Sequence, residues 1–152
     1  METHWNNKSH LTTFVDLNNS WIEKYFQLEE MDKILSRDPA VIIRDGGHIL
    51  SITNHNQVIA VCALFRESDE IYELARMAVC DSEQGKGIGK ILLQKAIHYA
   101  RDRGVKKLFL VSNTKMTAAM HLYRSFDFQT VFKGQHPEYK RGNIIMEKIL
   151  NV

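Results

Sequence analysis

The sequence predicts an α/β (α+β) domain, a mixed sheet of six to seven strands with helices on both faces. Three observations predict it. Strand-length apolar runs occupy the first half of the chain and are joined by short polar turns. A strand, helix, strand succession follows between residues 71 and 112. Two segments with apolar residues at helical spacing need a sheet to cover them. The 152 residues suit one domain spanning 1–152, long enough to bury a core without staples.

The elements are justified in order. "LTTFVDLN" carries a short apolar stretch and reads as a first strand. "SWIEKYFQLEEMDKILSRDP" reads as helix, with Ser20 and Glu23 at capping-box spacing, Asp38-Pro39 ending it and a break near Leu28. "GHILSITN" and "QVIAVCALF" are strands joined by the turn residues "NHNQ", and "EIYELARMAV" follows a polar loop as the third run of an antiparallel meander. Residues 88–103 form a helix: Lys90, Gln94, His98 and Arg101 make one polar stripe, most other positions are apolar, and Gly104 stops it. "KKLFLVSN" is a buried strand reached by a right-handed crossover. "MTAAMHLYRSF" is a second amphipathic helix, with Lys115, His121 and Arg124 facing solvent, and "FDFQTVFKG" and "NIIMEKIL" close the chain as a strand hairpin.

Composition narrows the function. A net charge of +2 is too mild to imply a nucleic-acid partner. No apolar run approaches the length of a membrane helix, and "METHWNNKSH" has no signal core, so no membrane and a cytoplasmic location are expected. The two cysteines, Cys62 and Cys80, lie in apolar surroundings without C-x-x-C spacing and read as buried reduced thiols. The seven histidines show no metal-ligand spacing, His48, His55 and His136 read as surface residues, and no metal is expected.

The chemistry concentrates in "DSEQGKGIGKILLQ". Three of the eight glycines, Gly85, Gly87 and Gly89, stand at alternate positions where a strand gives way to a helix. The first turn of a helix has unpaired N–H groups and the positive end of the dipole, and glycines let an anion reach them. Lys86 and Lys90 add charge. A phosphate-bearing ligand is indicated. The P-loop pattern fails, because Gly89-Lys90 is followed by Ile91 and position 84 is Gln. The dinucleotide pattern fails as well, because the spacing is G-x-G-x-G and the next strand ends "LVSN".

Gln84, Gly87 and Gly89 do match Q-x-x-G-x-G. Here the sequence resembles the GNAT superfamily of N-acetyltransferases, whose pyrophosphate loop has the pattern [QR]-x-x-G-x-[GA]. "ELARMAV" resembles that family's fourth strand, "LFLVSNT" its fifth, and "AAMHLYRSFDF" the helix that usually ends A-x-x-L-Y-x-x-x-G-F. The resemblance is strong over residues 71–132 and holds elsewhere at the level of element order. It departs at Asp127, which stands where the family commonly has a glycine in a left-handed turn.

The resemblance implies acetyl-CoA (coenzyme A) as co-substrate, a splay between the parallel fourth and fifth strands, and acetyl transfer to a primary amine of a small or amino-acid-like molecule. The backbone of Gln84, Gly85, Lys86, Gly87, Ile88, Gly89 and Lys90 would hold the pyrophosphate. Met77, Ala78 and Val79 would pair with the pantetheine amides, and Asn113 would bond the pantetheine arm. Tyr123 is the candidate general acid, since a phenol stays protonated at neutral pH, and it also fits a core aromatic. Glu73, four residues before Met77, is the candidate base and fits an ion-paired strand carboxylate equally well; Glu70 is a weaker substitute. Arg76 is a candidate for a substrate carboxylate or for a salt bridge to a neighbouring strand. Tyr139 and Arg141 are candidates for the acceptor site. A protein amine as acceptor, a non-catalytic acyl-CoA sensor and a possible homodimer stay open at this point.

Overall fold

A computed structural model describes residues 1–137 and 140–150. Seven strands form one sheet: β1 (Glu2–Trp5), β2 (His48–Asn54), β3 (Gln57–Arg66), β4 (Ile71–Val79), β5 (Lys107–Ser112), β6 (Gln129–Lys133) and β7 (Ile144–Ile149). Their order across the sheet is β1-β2-β3-β4-β5-β7-β6. β1 to β4 are antiparallel, β4 and β5 are parallel, and β7 lies antiparallel between β5 and β6. The mixed sheet and its meander match the sequence reading.

Helices α1 (Leu11–Tyr25), α2 (Glu30–Arg37) and the short α3 (Val41–Arg44) cover one face. There Phe14, Leu35, Ile42, Ile49, Val61 and Ala78 form a core cluster. Helices α4 (Ile88–Asp102) and α5 (Thr117–Ser125) cover the other, where Leu92 of α4 joins Leu64, Leu74, Leu108, Leu110 and Met146 of the sheet in a second core cluster. Burying one such side chain stabilises the fold by roughly 1.5–3 kcal/mol, so the two clusters hold the sheet between its helical layers.

Two N-terminal expectations are corrected. "LTTFVDLN" is not a strand but the first half of α1, and the first strand is Glu2–Trp5. Over eight residues the β-branched run is ambiguous, but the buried positions Leu11, Phe14, Asn18 and Ile22 fall on one helical face, and packing on the sheet decides. Ser20 is therefore inside α1 and caps nothing; the chain instead enters α1 through a 3₁₀ turn that Asn7 caps at the Ser9 amide. The break near Leu28 is real and separates α1 from α2.

Two irregularities in β4 shape the molecule. Against β3, Val61 faces Ala78 but Ala63 faces Ala75, so Cys62 opposes both Arg76 and Met77. Arg76 adopts φ 58° at this bulge. Against β5, β4 pairs only over Ile71–Lys107, Tyr72–Leu108 and Glu73–Phe109. Beyond Glu73 the two strands part, and the β5-facing edge of β4 loses its strand partner.

Candidate active site

The gap between β4 and β5 opens into a cleft of about 480 Å³ that runs between α1 and the N-terminal ends of α4 and α5. At one end lies the glycine loop. Gly85 and Gly87 take φ of +78° and +80°, which side-chain-bearing residues rarely adopt, and no atom lies within 4 Å of where a Cβ would stand on either. Gly87 is the N-cap of α4, and no side chain bonds the first-turn N–H groups. An anion-sized space thus faces the positive end of a helix of fifteen residues. Gln84 holds the loop to the strand end, donating from Nε2 to the Val79 carbonyl at 3.1 Å.

Most residues expected to hold the cofactor line this cleft: Met77, Ala78 and Val79 from β4, then Gln84, Gly85, Gly87, Ile88 and Gly89. Lys86 and Lys90 do not line it. Both are exposed, and Lys86 pairs with Glu83 at 3.3 Å. Asn113 lines it too, but its side chain already donates to the Arg141 carbonyl at 2.8 Å and accepts from the Lys115 amide at 2.9 Å. These residues fit a pyrophosphate-bearing group with a linear amide arm. The loop supplies open N–H groups, and the unpaired edge of β4 supplies main-chain partners.

Tyr123 lines the cleft from α5 and packs against Phe128 with ring centres 6.0 Å apart. Burial, with the nearby Cys62 adding to it, pushes its hydroxyl up to about 12. It is a held, protonated phenol across the neutral range. Cys62 is fully buried, and burial pushes its thiol up to about 12 as well, so it is inert as a nucleophile. Cys80 is only partly buried, because it sits at the strand end beside the exposed loop and its Sγ lies 3.4 Å from Ser82 Oγ. His48 is also partly buried rather than on the surface: Asn6 and Tyr99 hydrogen-bond its Nδ1 at 3.1 and 3.0 Å.

Glu73 lines the cleft at the last paired rung, where the strands begin to part. Arg76 and Arg141 also line it, and the structure brings them together on one carboxylate that the sequence reading missed. Asp32 of α2, with a fully buried side chain, accepts from Arg141 Nη1 and Nη2 at 2.7 and 2.8 Å, from Arg76 Nη1, and from the Glu29 amide at 2.7 Å. Glu29 in turn binds Arg141 Nη1 at 3.1 Å and the Lys140 amide at 2.9 Å. The Arg76 partner is therefore on a helix, not on a neighbouring strand. Burial alone would raise the Asp32 pKa; the Arg141 and Glu29 hydrogen bonds and the two guanidinium charges outweigh it and hold the carboxyl below its ordinary value. Tyr139 lies outside the described residues.

Also missed was an aromatic wall from the C-terminal end of α1: Trp21, Tyr25 and Phe26. Glu29 and Asp32 stand three positions apart and form the capping box that opens α2, a spacing signal the sequence displays. The wall had none, because its three rings follow no pattern distinct from core packing. Among the described residues, no three His, Cys, Asp or Glu side chains are grouped to hold a metal ion, and no helix is long and apolar enough to cross a membrane.

The family model for the acetyltransferase (GNAT) family matches residues 11–128. N-acetyltransferase 8F1 of Rattus norvegicus is 32% identical over 79 residues, 49% of this chain and 36% of that protein. The chain spans little more than a third, at most, of the curated relatives it matches. Among solved structures, an acetyltransferase of the GNAT family from Staphylococcus aureus Mu50 superposes with a TM-score of 0.85 at 19% identity, covering 99% of each chain. An aminoglycoside 6'-N-acetyltransferase complexed with coenzyme A superposes with a TM-score of 0.76 at 13% identity, covering 100% of this chain and 98% of that one. Likenesses at these identities speak to the fold.

Proposed function

Because the chain belongs to the GNAT acetyltransferase family, we propose that it is an N-acetyltransferase moving an acetyl group from acetyl-coenzyme A to the primary amine of a small molecule, by direct attack on the thioester. One observation carries the reading: the glycine loop at the α4 N-terminus, the unpaired edge of β4 and the Tyr123 phenol all line one cleft.

Bound acetyl-coenzyme A would supply an acyl carbon activated as a thioester. The chain's own residues would do the rest. Main-chain N–H groups of the glycine loop bind the pyrophosphate, and the free edge of β4 from Met77 to Val79 orients the amide arm. Glu73 takes the proton that an ammonium must lose before it attacks, directly or through water. Tyr123 holds a proton at its hydroxyl for the departing sulfur, and its raised pKa keeps that proton in place.

A thermal-shift titration with acetyl-coenzyme A, with ATP and NAD as controls, tests the binding half, since a ligand of the folded state raises Tm with concentration. Thiol release with a panel of small amines and peptide N-termini tests the transfer. A rise with ATP or NAD instead, or thiol release only with peptides, would overturn the reading of the loop or of the acceptor respectively.

A further inference from the structure

The bulge in β4 decides which main-chain groups reach the cleft. Along a strand, the N–H and C=O of one residue point to one edge and those of the next to the other. Before the bulge, Ile71 turns to the β3 side, where its carbonyl accepts from the Glu67 amide at 3.0 Å, and the alternation carries Ala75 the same way. After the bulge, Cys80 turns to β3, donating to the Ile59 carbonyl at 2.8 Å, and the alternation carries Ala78 with it. Met77 and Val79 therefore turn to the opposite edge, the one that has parted from β5. Without the extra residue the count would run on unbroken, and Met77 and Val79 would face β3 instead. The side chains record the same switch. Tyr72 and Leu74 belong to the core cluster beneath α4 and α5, and Met77 and Val79 pack against that same cluster, whereas Ala78 belongs to the cluster beneath α1.

The bulge needs something to hold it. Arg76 takes φ 58°, a left-handed conformation that is unfavourable for a residue with a side chain and persists where the surroundings over-determine it. Its guanidinium supplies the grip. Arg76 Nη1 donates to Asp32 Oδ1, and the two side chains are only 7% and 0% exposed. Asp32 is itself fixed by the Glu29 amide at 2.7 Å and by both Arg141 Nη atoms at 2.7 and 2.8 Å. The strained residue is thus anchored from α2 and from the connection between β6 and β7, at a stretch of β4 that β5 no longer supports.

Resting on the acetyltransferase reading above, we infer that Arg76 and, through it, Asp32 are positioning residues: their buried ion pair pins the left-handed bulge that turns the main chain of Met77 and Val79 into the cleft, toward the amide arm of coenzyme A. Arg76 engaged in this way is not the ligand of an acceptor carboxylate.

The test compares Arg76→Ala with Arg76→Gly in the full chain. Affinities for coenzyme A and for 3'-phospho-ADP, which is coenzyme A without its amide arm, are read by calorimetric titration below the Tm of every variant. Both variants lose the guanidinium, but glycine enters the left-handed region freely and alanine does not. Arg141 stays on Asp32 in both, so the buried carboxyl keeps a partner. Arg76→Ala is expected to weaken coenzyme A binding about tenfold, as the loss of one or two main-chain hydrogen bonds would. Binding of 3'-phospho-ADP should stay at the wild-type level, and Arg76→Gly should recover most of the loss. Asp32→Asn should weaken coenzyme A binding in the wild-type background and add nothing in the Arg76→Gly background, because the coupling runs through Arg76. Coenzyme A affinity unchanged in Arg76→Ala, or a glycine variant as poor as the alanine one, overturns the inference. An equal loss of 3'-phospho-ADP affinity overturns it too, since a loosened fold rather than a misdirected edge would act on both ligands. A raised KM for amine acceptors with coenzyme A affinity intact assigns Arg76 to the acceptor and also overturns it. A wild type that binds neither ligand overturns the acetyltransferase reading together with the inference; every other outcome leaves that reading standing.

Discussion

Asp32 and Arg141 stand 109 positions apart in the chain and close on each other through two contacts of 2.7 and 2.8 Å. The pair ties α2 to the connection between β6 and β7, and through Arg76 it also reaches the bulge of β4. Three separate segments around the cleft are held by one carboxyl group.

Removing that carboxyl leaves two guanidinium groups facing each other in a dry site. Asp32→Ala is expected to destabilise the fold by about 3 kcal/mol, a fall in Tm of roughly 10 °C for a chain of this size. Urea unfolding of the variant checks it; a loss below about 1 kcal/mol, the range of exposed pairs, would mean that the network contributes little.

The same carboxyl sets an acid limit. Its folded-state pKa lies below its unfolded value. The stability it contributes is therefore fully present above the ordinary value of 3.8 and is lost as pH falls through the folded value. The Tm of the wild type should fall more steeply below about pH 4 than that of Asp32→Asn, which has no proton to take up there. Parallel curves would place the acid-sensitive group elsewhere.

Tyr123→Phe keeps the ring and removes the proton. Turnover is expected to fall about 100-fold, with coenzyme A affinity nearly unchanged. Tyr123 stays protonated to high pH, so the wild-type rate should show no basic limb from this group below about pH 10. Steady-state rates beside a coenzyme A titration decide the matter; unchanged turnover removes Tyr123 from the role of acid.

Glu73→Gln should flatten the acidic limb of the pH–rate profile, because that limb reports protonation of the base. A limb that persists in the variant assigns the base to another group.

Gly87→Val places a β-branched side chain at φ +80°, where it is strained, and fills open space at the helix start. Coenzyme A binding should be lost while the circular dichroism spectrum is retained. Retained affinity would show that the loop does not hold the pyrophosphate.

The sequence was most legible where one short pattern decides the structure. The meander, the glycine loop and α4 were readable because periodicity and turn residues there agree with the tertiary packing. Asp127 was readable too: it takes φ 67°, the left-handed turn expected of that position. Where local and global preferences diverge, reading failed. "LTTFVDLN" looks like a strand for as long as the window stops at Asn18 and excludes Ile22. Arg76 and Arg141 were singled out separately, but their meeting on Asp32 joins three distant segments, and no spacing rule carries that information. The bulge of β4 opposite Cys62 was hidden for the same reason, since it exists only in the register between two strands.

The parting of β4 from β5 has one more consequence. An exposed strand edge is a standing invitation to other polypeptides and a route to aggregation. At its outer limits this sheet has such edges in β1 and β6. Between β4 and β5 it has a third, turned inward, beneath helices and an aromatic wall. A folded protein chain is too bulky to enter there, and a slender chain of amides is not. The protein thus keeps the adhesive capacity of a free strand while denying it to other polypeptides.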